Sequence, residues 1–102
     1  MASGLNRLTA RGSASLRERG RYADGGGLYL QVDGKGTRQW TFRFQIGGRR
    51  SEMGLGGFDA VPLGEARKLA ARCRAEVAAG RNPLELRREL QAAERAAAQA
   101  AA

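Results

Sequence analysis

Trp40-Thr41-Phe42-Arg43-Phe44-Gln45-Ile46 alternates large apolar and polar side chains without a break. Successive side chains of a strand point to opposite faces. Trp40, Phe42, Phe44 and Ile46 therefore line one face of this strand, and Thr41, Arg43 and Gln45 line the other. The first set needs a core. The second carries a guanidinium, an amide and a hydroxyl, the groups that hydrogen-bond to base edges and phosphates. The chain must build a sheet with one covered face and one polar face.

The flanking residues supply the rest of that sheet. Gly25-Gly26-Gly27 reads as a turn, because consecutive glycines open positive φ. Leu28 to Asp33 reads as a strand with Leu28, Leu30 and Val32 inward and Tyr29, Gln31 and Asp33 outward. Gly34-Lys35-Gly36 turns the chain into the strand Arg38–Ile46. Gly47-Gly48 forms a second tight hairpin turn. A third strand runs from Arg49 to about Leu55, with Met53 and Leu55 on the core side and Arg50 and Glu52 outside.

Beyond Pro62 the period changes. Ala66, Leu69, Ala70, Cys73 and Val77 recur at helical spacing, and Glu65 sits where a helix N-terminus favours negative charge. Gly80 and Asn82-Pro83 end that helix. Its apolar stripe covers the aromatic face of the sheet. The expected fold is α+β: a three-stranded antiparallel sheet packed on one main α-helix. Residues 84–102 begin with Leu84, Leu86 and Leu90 and continue in alanine. They read as a linker, helical or frayed. At the other end, Leu5, Leu8 and Leu16 are the only large aliphatic residues before the first glycine run. Thr9 is placed to cap a short helical turn. Arg7, Arg11, Arg17, Arg19 and Arg21 make residues 1–21 either a basic arm or a solvated terminus. The division expected is an arm over 1–21, a sheet-plus-helix domain over 22–83 and a linker over 84–102.

The 102 residues carry 18 Lys+Arg against 10 Asp+Glu, a net charge of +8. Lys35 and Lys68 are the only lysines, so the excess is arginine, whose planar fork fits phosphate and guanine edges. There is no histidine, and Cys73 is the single cysteine. That removes histidine acid–base chemistry, a disulfide framework and a cysteine zinc cluster. Cys73 reads as a small apolar residue of the helix. The carboxylates are scattered, with no paired acid–base arrangement. Tyr22 and Tyr29 have no positioned base. The glycine runs lack the lysine and Ser/Thr of a P-loop and the spacing of a dinucleotide fingerprint. Neither an enzyme nor a cofactor is expected. No apolar run approaches a membrane span of roughly 20 residues, and a cytoplasmic location is expected.

What remains is the polar sheet face. Tyr29, Gln31, Thr41, Arg43, Gln45, Arg50 and Glu52 fall on one patch, with Lys35, Arg38 and Arg49 at its turns. Such a face is either merely solvated or, given the charge, pressed on nucleic acid. Arg43, Gln45, Thr41, Gln31 and Tyr29 are the candidates for bases or the groove floor. Arg38, Arg49, Arg50 and Lys35 are the candidates for phosphates. Stacking on single strands would need Trp40 or Phe42 exposed, against the alternation. The residues alone leave DNA and RNA open.

A family resemblance bears on that choice. It rests on Leu8-Thr9-Ala10, Tyr22-Ala23-Asp24-Gly25-Gly26-Gly27-Leu28-Tyr29-Leu30 and Trp40-Thr41-Phe42-Arg43-Phe44. It continues in Met53-Gly54-Leu55-Gly56-Gly57-Phe58, Leu63-Gly64-Glu65-Ala66-Arg67 and Gly80-Arg81-Asn82-Pro83. In this order the chain resembles the N-terminal domain of prophage and genomic-island integrases, which are tyrosine-type site-specific recombinases. The resemblance implies an arm-type, non-catalytic domain that binds double-stranded DNA and supports DNA integration. Core-binding and catalytic domains would lie elsewhere. It also admits contacts with other integrase protomers or accessory DNA-bending proteins, which a protein-interaction module would make its main task. Pro62 and Asp59 depart from the family's usual residues at the helix entry.

Overall fold

A computed structural model describes residues 6–101. The first five residues of the expected arm, Leu5 among them, and residue 102 lie outside the described residues. The elements in chain order are α1 (Ala10–Ala14), β1 (Gly20–Gly25), β2 (Leu28–Val32), β3 (Arg38–Ile46), β4 (Arg49–Gly57), α2 (Leu63–Ala78) and α3 (Pro83–Ala101).

The sheet has four strands in the order β1-β2-β3-β4, all neighbours antiparallel. Three were expected. The added strand is β1, whose Gly20 and Arg21 fall in the expected arm and whose remaining residues lead into the expected glycine turn. Its inward positions hold Tyr22, opposite Leu30, and the buried Asp24. An acid on the core side breaks the apolar alternation that marks a strand. The remaining strands fall where the alternation places them, and β4 runs on to Gly57. Met53 and Leu55 share the core face by alternation, and a bulge at Leu55 shifts the pairing so that Thr41 faces Gly54 and Trp40 faces Gly56.

The core is Leu28, Leu30, Val32, Trp40, Phe42, Phe44, Met53 and Leu55 from the sheet, with Leu63, Ala66 and Ala70 from α2. The two alanines are fully buried and bring the helix close to the sheet. Trp40 donates its indole N–H to the Val61 carbonyl at 2.7 Å, so the largest core residue leaves no polar atom stranded. Cys73 is half-buried on the same stripe, and burial pushes its thiol pKa up.

Turn chemistry sets the connections. Gly27 adopts φ +91, and a Cβ there would lie 2.5 Å from the Arg43 carbonyl oxygen and 2.9 Å from the Phe42 ring. Pro62 precedes α2 with extended ψ. Gly80, at φ +83, closes α2 by donating to the Val77 carbonyl. The Asn82 side chain then caps α3 by accepting from the amides of Leu84 and Glu85. α3 is helical to Ala101, which fixes the form of the alanine-rich tail.

The N-terminal segment is docked on the domain. Thr9 accepts from the Gly12 amide and caps α1. Asp24 accepts from the Leu8 amide at 2.8 Å and from Arg67 Nε and Nη2 at 2.9 Å each. Arg67 also donates to the Leu8 carbonyl at 2.6 Å. Burial alone would raise the Asp24 pKa. The Arg67 hydrogen bonds, the Leu8 amide and the guanidinium charge outweigh it and hold the carboxyl below its ordinary value.

Candidate nucleic-acid interface

No helix covers the face of the sheet opposite α2. The register lays its side chains in rows across the strands. Arg21, Gln31 and Gln39 form one row. Ala23, Tyr29, Thr41 and Gly54 form the next. Arg43 and Glu52 form a third, and Gln45 and Arg50 a fourth. The sheet thus brings Tyr29, Gln31, Thr41, Arg43, Gln45 and Arg50 onto one surface, as the alternation requires.

Between the last rows lies an open hollow of about 350 Å³, lined by Tyr29, Arg43, Gln45, Arg50, Gly27, Phe44 and Ser51. Gln45 and Arg50 are exposed. The Arg43 guanidinium carbon lies 5.6 Å from the Tyr29 ring centroid, within reach of a cation–π attraction. Tyr29 therefore steadies the arginine while leaving its fork half-exposed.

Glu52 joins two arginines on this face. Arg21 Nη2 lies 3.2 Å from its carboxylate and Arg43 Nε 3.7 Å. The bridge to Arg21 connects the first row to the third and β1 to β4. Thr41 lies on the outer side but is only 3 % exposed, and its hydroxyl has no protein partner. The Gln31 side-chain oxygen is also buried without a partner. Arg21 had been read as part of the arm. Its place on this face became visible only with β1, although its parity with Ala23 was available once Tyr22 is taken as inward.

Two expected phosphate contacts lie elsewhere. Arg38 shares the parity of Trp40 and pairs with Val32, which turns it to the helix side of the sheet. There it donates to the Ala14 carbonyl at 3.0 Å and stacks 4.2 Å over the Phe58 ring, with Asp59 at 4.0 Å. Its side chain is 11 % exposed. Arg49 pairs with Ile46 and borders a hollow with Gly80, Asn82 and Glu85, also toward the helices, although it is exposed. Lys35 is exposed in the β2–β3 turn, which Asp33 fixes by accepting from the amides of Lys35 and Thr37. Among the described residues Lys35, Arg49 and Arg50 make no salt bridge. No cluster of metal-ligating side chains occurs among the described residues, and no helix there is long and apolar enough to cross a membrane.

A small antiparallel sheet with a helix on one face and arginine and amide groups on the other defines a class of small α+β module. Comparison with known proteins gives the class a family. The arm DNA-binding domain family matches residues 5–90, and the chain belongs to it. The integrase of Shigella phage Sf6 is 32% identical over 68 residues, covering 67% of this chain and 18% of that protein. The prophage integrase IntZ of Escherichia coli (strain K12) is 35% identical over 63 residues, covering 62% of this chain and 16% of that protein. The chain spans less than a fifth of the length of these curated relatives.

Proposed function

We propose that this chain is the non-catalytic, arm-site-binding module of a phage-type integrase and grips duplex DNA with the bare face of its sheet. The observation that carries the reading is the outer surface of β3 and β4, where Arg43, Gln45 and Arg50 stand side by side around an open hollow. A short antiparallel ribbon fits the major groove. Arg43 and Gln45 then face base edges, with Tyr29, Gln31 and Thr41 behind them. Arg50 and Lys35 meet phosphates along the rim. Arg38 serves the fold. In the whole integrase, binding of arm sites supports site-specific recombination and DNA integration, and α3 leads toward the core-binding and catalytic domains.

The test is fluorescence anisotropy with duplexes tiled across the flanks of the element's own attachment site, at two salt concentrations. The expected result is saturable binding to a few tiles over scrambled duplex. With about five phosphates engaged, log K falls against log salt with a slope of about −4 to −5. Arg43→Ala relaxes sequence preference, and Arg50→Ala weakens all duplexes alike and reduces the slope by about 1. Equal weak binding to every duplex overturns arm-site recognition, and preference for A-form RNA overturns the DNA reading.

A second reading draws on the apolar groove between α2 and α3, lined by Leu69, Cys73, Leu86 and Leu90, where Leu90 is 60% exposed. It assigns the chain to contacts with other integrase protomers or accessory DNA-bending proteins. Loss of such an association in Leu90→Gln, with DNA binding absent throughout, would establish it.

A further inference from the structure

Glu52 is the one carboxylate in the middle of the bare face, between two guanidinium groups whose natural partners on DNA are guanine edges and phosphates. An acid there opposes DNA binding unless it finds a donor. In the free protein it has Arg21 and Arg43. On the same face the Thr41 hydroxyl and the Gln31 oxygen are buried and have no hydrogen-bond partner. Buried polar groups left unpaired are costly. The closed arrangement is therefore not the one in which these side chains are satisfied.

Resting on the reading of this face as a DNA surface, we propose that Glu52 is a specificity-determining residue, which releases Arg21 and Arg43 to DNA and accepts instead from an exocyclic amino group, above all N4 of cytosine. The chemistry of the major groove supports this assignment. Cytosine N4 and adenine N6 are the only amino donors there, and guanine and thymine present acceptors. A carboxylate accepts only. A duplex that sets an acceptor oxygen against Glu52 leaves a negative charge unpaired and is rejected, which is discrimination by penalty as well as by contact. Arg43 and Glu52 are direct cross-strand partners in the register. A guanine read by Arg43 therefore lies within about one base-pair step of the amino-bearing base, since paired strand positions and stacked bases have similar spacings.

The experiment is enrichment from a random-sequence duplex library by the wild-type chain and by Glu52→Gln, followed by anisotropy on the enriched duplexes. Wild type fixes the base pair next to a guanine. In the best cytosine-bearing duplex, replacing that cytosine·guanine pair with uracil·adenine puts an acceptor where the amino group was and moves the pair's amino donor to the opposite strand. It weakens wild-type binding about ten- to a hundredfold. Glu52→Gln, whose amide both donates and accepts, loses less than about threefold on the same change. It also binds unselected duplex more tightly, whereas Glu65→Gln, which removes an equal charge from α2, does not. Circular dichroism confirms that each variant folds, and the uracil substitution tests wild type without any variant. A motif with no fixed base pair adjacent to the guanine, or wild-type indifference to every such uracil change, overturns the role of Glu52 while leaving the DNA surface standing. No enrichment by wild type overturns the DNA surface, and this inference with it.

Discussion

Asp24→Asn tests the strongest polar link in the molecule. The carboxylate is buried and accepts three hydrogen bonds, one from the Leu8 amide and two from Arg67. Asparagine keeps the shape and one acceptor, but turns an N–H₂ toward a guanidinium that can only donate. Charge-assisted hydrogen bonds contribute about 1.5–3 kcal/mol each. The full sum does not apply, because Arg67 is 31% exposed and keeps its bond to the Leu8 carbonyl and access to water. A net loss of about 2–3 kcal/mol is expected. That is a large share of a stability of about 5–15 kcal/mol, and it lowers Tm by about 10–20 °C. The assay is thermal melting by circular dichroism across pH. The folded Asp24 pKa lies below its unfolded value, so its contribution is complete above the unfolded value of about 3.9 and is lost as pH falls through the folded one. Wild type and Asp24→Asn therefore converge in strong acid. Melting within about 2 °C of wild type at neutral pH, or a gap undiminished in strong acid, would refute the reasoning.

Gly27→Ala forces a Cβ against the Arg43 carbonyl at a positive φ and destabilises by about 2–4 kcal/mol in chemical denaturation. Trp40→Phe keeps the ring but strands the Val61 carbonyl, and costs about 1–3 kcal/mol by the same measurement. Arg38→Ala lowers Tm by several degrees and leaves the slope of DNA affinity against salt unchanged. A slope smaller by about 1 would instead put Arg38 on a phosphate.

Much of this was legible in the sequence because period-two alternation is a local signal. Residues 38–46 state their own faces, and the register of β2 and β4 follows from Leu28, Leu30, Met53 and Leu55. The helix α2 showed itself by its stripe and its glycine stop. β1 did not, because what makes Asp24 acceptable on the core side is Arg67, 43 residues away. No local pattern reports a partner at that distance. Arg38 misled for a related reason. A charged residue at a strand end suggests solvent, whereas its parity with Trp40 places it under Phe58. Glu52 falls on the expected patch, but its neighbour Arg21 lies on the added strand β1 and was hidden with it.

The strand order β1-β2-β3-β4 has a kinetic consequence. Each pairing joins neighbours in the chain across a short turn, and such local contacts are reached quickly because little loop entropy is lost in closing them. The link from Asp24 to Arg67 is the opposite case, since it waits for α2 to arrive. The meander forms first, and the N-terminal segment is clasped last. Hydrogen exchange should accordingly be faster at Leu8, whose amide depends on that link, than at the amides of β3, which is paired on both sides.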